Sequence, residues 1–253
     1  MIKRLSGLNA IVTGGSQGIG KSISLALANE GANVQIFSRN IQNANIVVDQ
    51  IKLNDGEATA YAVDVCQEDQ VYGTINMLIK EFKKIDILVN CVGGFNRFLP
   101  VEEVTIPEWD LVMNVNLKSA FIVSKAVIQN MKFNRFGRII NIASIAGSAP
   151  NPYAVSYLPY GAAKAGLIGF TKHLAKELGA FEITVNAVSP GTTATERVLL
   201  ARDANSLERM AELTPLKRLV EPHDTAEAVV FLASMGAGGI TGVNLNVNAG
   251  VVM

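Results

Sequence analysis

A phenol and an ammonium group lie four residues apart at Tyr160 and Lys164. On a helix this spacing places both side chains on one face. Because a nearby cation favours phenolate, we expect the lysine to lower the tyrosine pKa towards working pH. Such a tyrosine can protonate a carbonyl oxygen as hydride reaches the carbon, or deprotonate an alcohol in reverse. Pairs at this spacing are frequent by chance, so the prediction depends on the motifs around it.

A glycine-rich stretch, TGGSQGIG at residues 13–20, follows the first apolar run. Glycines let the backbone turn tightly and approach a ligand closely. Free N–H groups and the dipole at the start of the next helix can then bind a pyrophosphate. The spacing is G-x-x-x-G-x-G, and its place between a strand and a helix pattern favours a dinucleotide site. The predicted cofactor contacts in this turn are Gly14, Ser16, Gln17, Gly18, Ile19 and Gly20.

The end of the second predicted strand bears on the choice of nucleotide. NAD sites usually carry an acidic residue there, which binds the ribose 2′-hydroxyl. This chain instead has Phe37, Ser38, Arg39 and Asn40. Arg39 could bind a 2′-phosphate bidentately, with help from the Ser38 hydroxyl, although a solvated arginine in a turn is the alternative. The sequence therefore favours NADP(H) over NAD(H).

Seven short apolar runs alternate with longer helical patterns. The predicted strands are residues 10–12, 33–37, 58–63, 85–89, 137–142, 183–188 and 243–247. The predicted helices are residues 18–30, 44–53, 67–82, a long helix within 107–131, 160–178 and 225–235. This alternation predicts an α/β fold with a doubly wound, Rossmann-type parallel sheet and helices on both faces. Ligands of such sheets bind at the carboxyl ends of the strands.

The chain shows no repeat or linker, so residues 1–253 are predicted to form a single domain. Residues 192–219, called the flap below, are the least patterned stretch. A mobile cover over the site and an ordinary surface excursion are both open interpretations of the flap.

Composition restricts the classes of partner. Lys plus Arg and Asp plus Glu number 22 each, and this balance gives no reason to expect a nucleic acid or an anionic membrane as a partner. No run of about 18 apolar residues and no signal-peptide pattern is visible, so we expect a cytoplasmic protein. Cys66 and Cys91 match no metal spacing and are expected to be reduced thiols. His173 and His223 are far apart in the sequence, and no metal site is predicted.

The ordered set of motifs resembles the short-chain dehydrogenase/reductase family along nearly the whole chain. Within that family the chain is similar to the β-ketoacyl-acyl carrier protein reductase-like group. The matching motifs are residues 13–20, Asp64-Val65, residues 90–93, residues 114–117, Ser144, Tyr160 with Lys164, and residues 186–191.

The resemblance implies a catalytic set. Tyr160 would be the general acid–base residue, and Lys164 would bind the nicotinamide ribose and lower the tyrosine pKa. Ser144 would hydrogen-bond the substrate oxygen, and Asn116 would support a water relay to Lys164. Taken singly, Ser144 could instead cap a turn, and Asn116 could be an amide on a helix surface.

The resemblance also implies further cofactor contacts and an oligomer. Asp64 and Val65 would contact adenine, and Asn90 and Gly93 would line the adenosine ribose. The contacts at the nicotinamide end would be Pro190, Gly191 and Thr195, although Pro190-Gly191 could be only a turn. A homo-oligomer, tetramer or dimer, would form on helices within residues 107–131 and 160–178.

Three departures from the family pattern stand out. The interval from Ser144 to Tyr160 is about three residues longer than usual, with the excess in residues 149–159. The other two are Cys91-Val92 in place of the usual Asn-Ala, and Asn248-Ala249 where an Asp-Gly turn is common.

The longer interval introduces a rival tyrosine. Tyr157 lies seven residues before Lys164, a spacing similar to that of the related enoyl-thioester reductases. Pro159 fits the first turn of a helix and would leave Tyr157 ahead of it, which favours Tyr160 as the proton donor.

Three functions are consistent with these residues. The first is NADP(H)-dependent hydride transfer to or from a carbonyl or alcohol carbon of a small molecule, such as a ketone or 3-oxoacyl compound. The second is enoyl-thioester reduction with Tyr157 and Lys164. The third is a non-catalytic NADP(H)-binding sensor, for which an intact catalytic set would be unnecessary. An apolar substrate pocket is expected near the strand ends, lined by Phe95, Phe98, Tyr153, Tyr157 and Leu199.

Overall fold

A computed structural model describes residues 3–95, 97–150 and 157–252. The strands are β1 (Asn9–Thr13), β2 (Asn33–Ser38), β3 (Glu57–Ala62), β4 (Ile87–Asn90), β5 (Gly137–Ile142), β6 (Ile183–Pro190) and β7 (Asn244–Val247). The helices are α1 (Gly18–Asn29), α2 (Ile41–Lys52), α3 (Glu68–Phe82), α4 (Ile106–Met113), α5 (Ser119–Asn134), α6 (Leu158–Leu178), α7 (Glu196–Leu200), α8 (Ala204–Glu212) and α9 (Pro222–Ala233).

The seven strands form one parallel sheet in the order β3-β2-β1-β4-β5-β6-β7. The chain reverses its direction of travel across the sheet between β3 and β4, so β1 and β4 are neighbours. Thr13 pairs with Asn90 at their carboxyl ends. A doubly wound sheet opens a crevice at this switch point, where ligands bind. The predicted fold class is confirmed.

Alternation along the strands places one helical layer on each face of the sheet. Val12 belongs to the core beneath α1, α2 and α9, whereas its neighbour Ile11 belongs to the core beneath α3, α5 and α6. Strands covered on both faces need apolar residues at every position, which explains their continuous apolar runs. The rigid sheet that results holds the strand ends in fixed positions.

Two helices begin about one turn earlier than their apolar pattern predicted. Helix α2 begins at Ile41 because the Asn40 side chain accepts a hydrogen bond from the Asn43 N–H at 3.0 Å. Helix α9 begins at Pro222, after a capping box between Glu221 and Asp224. In both cases the N-terminal cap starts the helix before its first buried residue.

The long helix predicted within residues 107–131 spans Ile106–Asn134 and contains a π turn at Asn114–Lys118. By length and composition this is the only helix in the described residues that could cross a membrane, and 44% of its most apolar window is buried within the fold. Val123, Val127 and Met131 pack on the sheet. The π turn places an additional residue in the helix at Asn116, a deviation that often occurs at functional sites.

The flap contains two short helices, α7 and α8. Its ends are joined where Thr193 bridges Val220 and the Ala194 N–H donates to the Val220 carbonyl at 2.8 Å. The Asp203 side chain caps α8. Helices this short give little periodic signal, which explains why the sequence pattern did not reveal them.

Candidate active site

The turn from β1 to α1 requires glycine at several positions. Gly14 and Gly18 have φ values of +67° and +52°, which side-chain-bearing residues rarely adopt. An added Cβ at Gly20 would lie 2.1 Å from the Gly14 carbonyl oxygen, so the turn packs directly on the helix. The backbone of residues 14–20 is therefore compact and close to any ligand above it.

The first turn of α1 offers backbone N–H groups to an anion. Within the described part of the chain, Gln17 at the N-cap makes no side-chain cap hydrogen bond, and the first turn contains no acidic residue. The helix dipole adds positive potential at the same point. Ser16 and Ser38 share a hydrogen bond at 3.0 Å, which ties the turn to the end of β2. The predicted residues 14–20 thus fit a pyrophosphate.

Ser38 and Arg39 differ sharply in exposure. The Ser38 hydroxyl is buried and also donates to the Asn40 carbonyl at 3.1 Å, so its bonds are largely local. Arg39 is exposed and forms no ion pair with another described residue. An exposed guanidinium without an ion-pair partner is available to bind a phosphate.

The loop after β3 contains Asp64 and Val65. The Asp64 carboxylate accepts from the Cys66 N–H at 3.0 Å, and its own N–H donates to Gln70 at 2.9 Å. The Val65 side chain is buried in the α3–α5–α6 core. Any contact of residue 65 with adenine would therefore use its backbone.

Thr13 joins the two strands at the switch point. Its hydroxyl donates to the Val89 carbonyl at 3.3 Å and accepts from the N–H groups of Cys91 and Val92. Because this oxygen bridges the ends of β1 and β4, the chain leaves β4 at a fixed angle. Residues 91–95 therefore cross the crevice beside the glycine-rich turn.

Asn90 belongs to a buried polar network that the sequence patterns did not predict. Its Nδ2 donates to Asn141 at 2.8 Å and to Ser124 at 3.1 Å, and Asn141 donates to Thr171 at 2.9 Å. The Asn90 side chain thus points into the fold, and a contact with the adenosine ribose would come from its backbone. Asparagines within apolar strands were the available signal, since buried amides need partners.

Gly93, Asn116 and Lys164 meet at one point. A Cβ at Gly93 would lie 2.8 Å from the Asn116 Oδ1 and 2.9 Å from the Lys164 Nζ. The Asn116 amide accepts from the Gly94 N–H and donates to the Gly94 carbonyl, both at 2.8 Å. Asn116 is therefore not a surface amide, because it clamps the segment after β4 from within the π turn.

Helix α6 presents Tyr160 and Lys164 on one face, as their spacing predicted. The Lys164 Nζ lies 5.7 Å from the centroid of the Tyr160 ring and donates to the Ile142 carbonyl at 2.8 Å. Ser144, two residues further along, accepts from the Ala146 N–H at 3.2 Å, so it does cap a turn. It also hydrogen-bonds the Tyr160 side chain.

The electrostatics correct one expectation. Burial raises the pKa of the Tyr160 phenol, although the Ser144 hydrogen bond and the Arg197 charge oppose this effect. Burial also lowers the pKa of Lys164 to about 8. The expectation of a Tyr160 pKa lowered towards working pH is therefore wrong for this structure, because desolvation of the phenol outweighs the Ser144 hydrogen bond and the Arg197 charge.

Tyr157 lies ahead of the helix, as Pro159 predicted. Tyr157 is the N-cap of α6, and the proline lies in the first turn. The Tyr157 ring is buried, with its centroid 5.1 Å from that of Phe95. Phe95 also approaches Tyr160 at 4.9 Å and Phe98 at 4.8 Å. These four rings form an aromatic cluster that includes Tyr160, the catalytic tyrosine candidate. Tyr153 lies outside the described residues.

The chain after β6 passes over the glycine-rich turn. Gly191 packs closely on Asn248, where an added Cβ would be 3.0 Å from the Cα, and its N–H donates to the Val247 carbonyl at 2.9 Å. Thr195 follows as the N-cap of α7, and its Cγ2 would lie 3.3 Å from a Cβ at Gly18. Leu199 on α7 is exposed. The start of the flap therefore lies against the proposed pyrophosphate turn.

Comparisons with known proteins agree with this site. A family model described as enoyl-(acyl carrier protein) reductase matches residues 14–252. The 3-oxoacyl-(acyl-carrier-protein) reductase of Synechocystis sp. is 40% identical over 246 residues, which cover 96% of each chain. FabG, the 3-oxoacyl-(acyl-carrier-protein) reductase of Staphylococcus epidermidis, is 40% identical over 248 residues, with 97% of this chain and 99% of that protein covered.

A solved structure extends the similarity to three dimensions. A short-chain type dehydrogenase/reductase from Mycobacterium marinum matches with a TM-score of 0.92 and 31% identity, covering 99% of this chain and 98% of that one. The match to the family model and the identity to curated relatives both span nearly the full length. The chain is an oxidoreductase that belongs to the short-chain dehydrogenase/reductase family.

Proposed function

We propose that this chain is an NADP(H)-dependent reductase of 3-oxoacyl thioesters, with Tyr160 as the general acid–base residue. The observation that carries the proposal is the convergence of Tyr160, Lys164 and Ser144 beside Gly93 at the switch point of the sheet. The substrate class is supported by the names of relatives in Synechocystis sp. and Staphylococcus epidermidis.

The residues along the crevice fit a nicotinamide dinucleotide, which when bound supplies hydride. The turn at residues 14–20 would bind the pyrophosphate through backbone N–H groups. Arg39 would bind the 2′-phosphate, Asp64 and the backbone of Val65 would border the adenine, and the backbone of Asn90 and Gly93 would line the adenosine ribose. The nicotinamide end would be bordered by Pro190, Gly191 and Thr195. Arg39 is the residue that favours NADP(H) over NAD(H).

Side chains of the protein would transfer the proton that the substrate oxygen gains. The substrate oxygen would accept hydrogen bonds from the Ser144 and Tyr160 hydroxyls. As the carbonyl carbon gains hydride, Tyr160 would donate its proton to that oxygen, so that an alcohol forms and a phenolate remains. A raised tyrosine pKa suits this direction, because the phenol stays protonated and ready to donate at neutral pH. Lys164 and Asn116 would then return a proton from solvent.

The aromatic cluster makes the site suitable for an apolar substrate. The Phe95 ring packs against the ring of Tyr160, the rings of Phe98 and Tyr157 pack against Phe95, and Leu199 is exposed on the flap. Apolar rings around a small polar centre are typical of ligand pockets. An acyl chain would lie between this cluster and the flap.

We also propose a cytoplasmic homo-oligomer. Exposed apolar side chains on α4 and α5, namely Ile106, Leu111 and Phe121, favour association of copies through these helices. Both cysteines are free thiols, which is usual in a reducing compartment. Light scattering on the purified chain would give a tetramer or dimer; a monomer at micromolar concentration would contradict the oligomer.

The test is a substrate panel with the purified full chain. NADPH oxidation would be followed with acetoacetyl-coenzyme A, crotonyl-coenzyme A and cyclohexanone for the wild type, Tyr160→Phe and Tyr157→Phe. We expect acetoacetyl-coenzyme A to be reduced, and Tyr160→Phe to lower kcat by about 100-fold or more. Tyr157→Phe is the matched control and should retain most of the activity.

Two outcomes would contradict the proposal. Preferential reduction of crotonyl-coenzyme A with a larger loss in Tyr157→Phe would indicate an enoyl-thioester reductase. NADPH binding without turnover of any carbonyl compound would indicate the nucleotide-binding sensor.

A further inference from the structure

Arg197 of α7 connects the flap to the segment after β4. Its Nη2 donates to the Phe95 carbonyl at 2.8 Å. Its Nη1 lies over Gly94, 3.2 Å from where a Cβ would be. Arg197 forms no ion pair with any carboxylate among residues 3–95, 97–150 and 157–252. The Arg197 guanidinium therefore contacts the backbone of this segment instead of a carboxylate.

The same segment is also held by Asn116 of the π turn. The Asn116 amide bonds to both the N–H and the carbonyl of Gly94, while Arg197 bonds to the next carbonyl, that of Phe95. The Phe95 ring lies with its centroid 4.9 Å from that of Tyr160 and 5.1 Å from that of Tyr157. The position of this ring against Tyr160 thus depends on a contact made by the flap.

We infer that Arg197 is a positioning residue for the proposed reduction: by binding the Phe95 carbonyl, it fixes the Phe95 ring against Tyr160 and places a cation near the phenol. The inference rests on the proposed function for its catalytic consequence, but the contact itself does not. The position of the flap and the geometry of the site are linked, because the Arg197 guanidinium extends from α7 to the Phe95 carbonyl. Loops that cover a site often complete its catalytic arrangement.

Charged and titratable groups reach Tyr160 from several elements. Lys164 lies under its ring from α6, Ser144 hydrogen-bonds it from the end of β5, and Cys91 lies near it after β4. Arg197 is the group contributed by the flap, and its charge lowers the pKa of the phenol against the effect of burial. Loss of Arg197 should therefore raise the Tyr160 pKa further.

The experiment compares Arg197→Met and Arg197→Lys with Arg209→Met, which removes an exposed arginine from α8 of the same flap. Deuterium uptake of peptides containing Gly94 and Phe95 would be measured first, since it requires no activity. We expect faster exchange in Arg197→Met alone. If exchange in these peptides is the same as in the wild type, the inference is overturned.

The second measurement is kinetic. We expect Arg197→Met to lower kcat for acetoacetyl-coenzyme A by about 10- to 100-fold, with little change in the KM for NADPH. The oxidation of 3-hydroxybutyryl-coenzyme A needs the Tyr160 phenolate. The pH at which this oxidation reaches half of its maximal rate, its pH midpoint, should therefore be higher in Arg197→Met than in the wild type, by about 0.5 or more. Arg197→Lys keeps the charge and should restore the midpoint, and Arg209→Met should match the wild type.

The outcomes separate this inference from the proposed function. An inactive wild type with faster exchange in Arg197→Met would contradict the reductase and leave the contact intact. An active wild type with unchanged kcat and pH midpoint in Arg197→Met would contradict the positioning role. An equal loss of kcat in Arg209→Met would also contradict it.

Discussion

Gly147 lies directly against the backbone of Lys164. A Cβ at residue 147 would be 2.7 Å from the Lys164 carbonyl carbon and 2.8 Å from its oxygen. Gly147 ends the short helical turn that Ser144 caps. The absence of a side chain at this residue therefore sets how closely Ser144 approaches helix α6, and hence its distance from Tyr160.

Gly147→Ala should weaken both stability and catalysis. The added methyl group overlaps main-chain atoms that cannot rotate away, so the turn and the helix must separate. We expect a loss of about 1–3 kcal/mol in the free energy of unfolding, typical of overpacking. The kcat should also fall, because Ser144 moves with the turn. Urea unfolding and steady-state kinetics measure the two effects.

Gly169→Ala is the matched control for this change. Gly169 lies on the same helix, and nothing is within 4 Å of its added Cβ. Alanine there should leave kcat unchanged and stabilise the helix by about 0.5–1 kcal/mol. If Gly147→Ala behaves like Gly169→Ala, the close contact does not position Ser144.

Arg39→Met should change the choice of nucleotide. A charge-assisted hydrogen bond to phosphate contributes about 1.5–3 kcal/mol, so the KM for NADPH should rise about 10- to 100-fold. The KM for NADH is the internal control and should stay within about twofold, because NADH has no 2′-phosphate for the arginine to bind. Equal changes with both nucleotides would show that Arg39 does not contact the 2′-phosphate.

The buried network around Asn141 should contribute to stability. Asn141→Ala removes one hydrogen bond from the Asn90 amide and one from the Thr171 hydroxyl, which keep their bonds to Ser124 and to the Leu167 carbonyl. At about 0.5–1.5 kcal/mol for each hydrogen bond lost, we expect a loss of about 1–3 kcal/mol in the free energy of unfolding. Asn43→Ala, at an exposed position of α2, should cost far less. Similar losses in the two variants would argue against the network.

Much of the fold and part of the site could be predicted from local patterns. Strands buried on both faces give continuous apolar runs, and parallel connections restrict the topology, so the sheet could be predicted. Tyr160 and Lys164 are four residues apart on one helix, and their proximity needs no tertiary information. The glycine-rich turn likewise lies within eight residues.

Features that depend on packing could not be predicted. The rise in the Tyr160 pKa follows from burial of the phenol, whose ring packs against Phe95, a residue distant in the sequence. Arg197 reaches Phe95 across 102 residues, and no motif links them. The Asn116 clamp on Gly94 requires the π turn, which displaces this side chain from the position that a regular helix would give it.

The burial of Lys164 predicts a pH-dependent stability. Its folded pKa is about 8, below the ordinary value of 10.5, so the unfolded chain binds more protons between these values. The contribution of Lys164 to the free energy of unfolding therefore increases as the pH rises between its folded and its ordinary pKa. Relative to Lys164→Met, the wild type should gain about 2 kcal/mol between pH 7 and pH 9.5. Urea unfolding of both proteins measures this difference, in which the contributions of the other titrating groups cancel.

Lys172→Met, at an exposed position of the same helix, controls for the loss of a lysine. A gap between wild type and Lys164→Met that stays constant with pH would mean that the ammonium is not desolvated, and the return of protons through Lys164 would lose its physical basis.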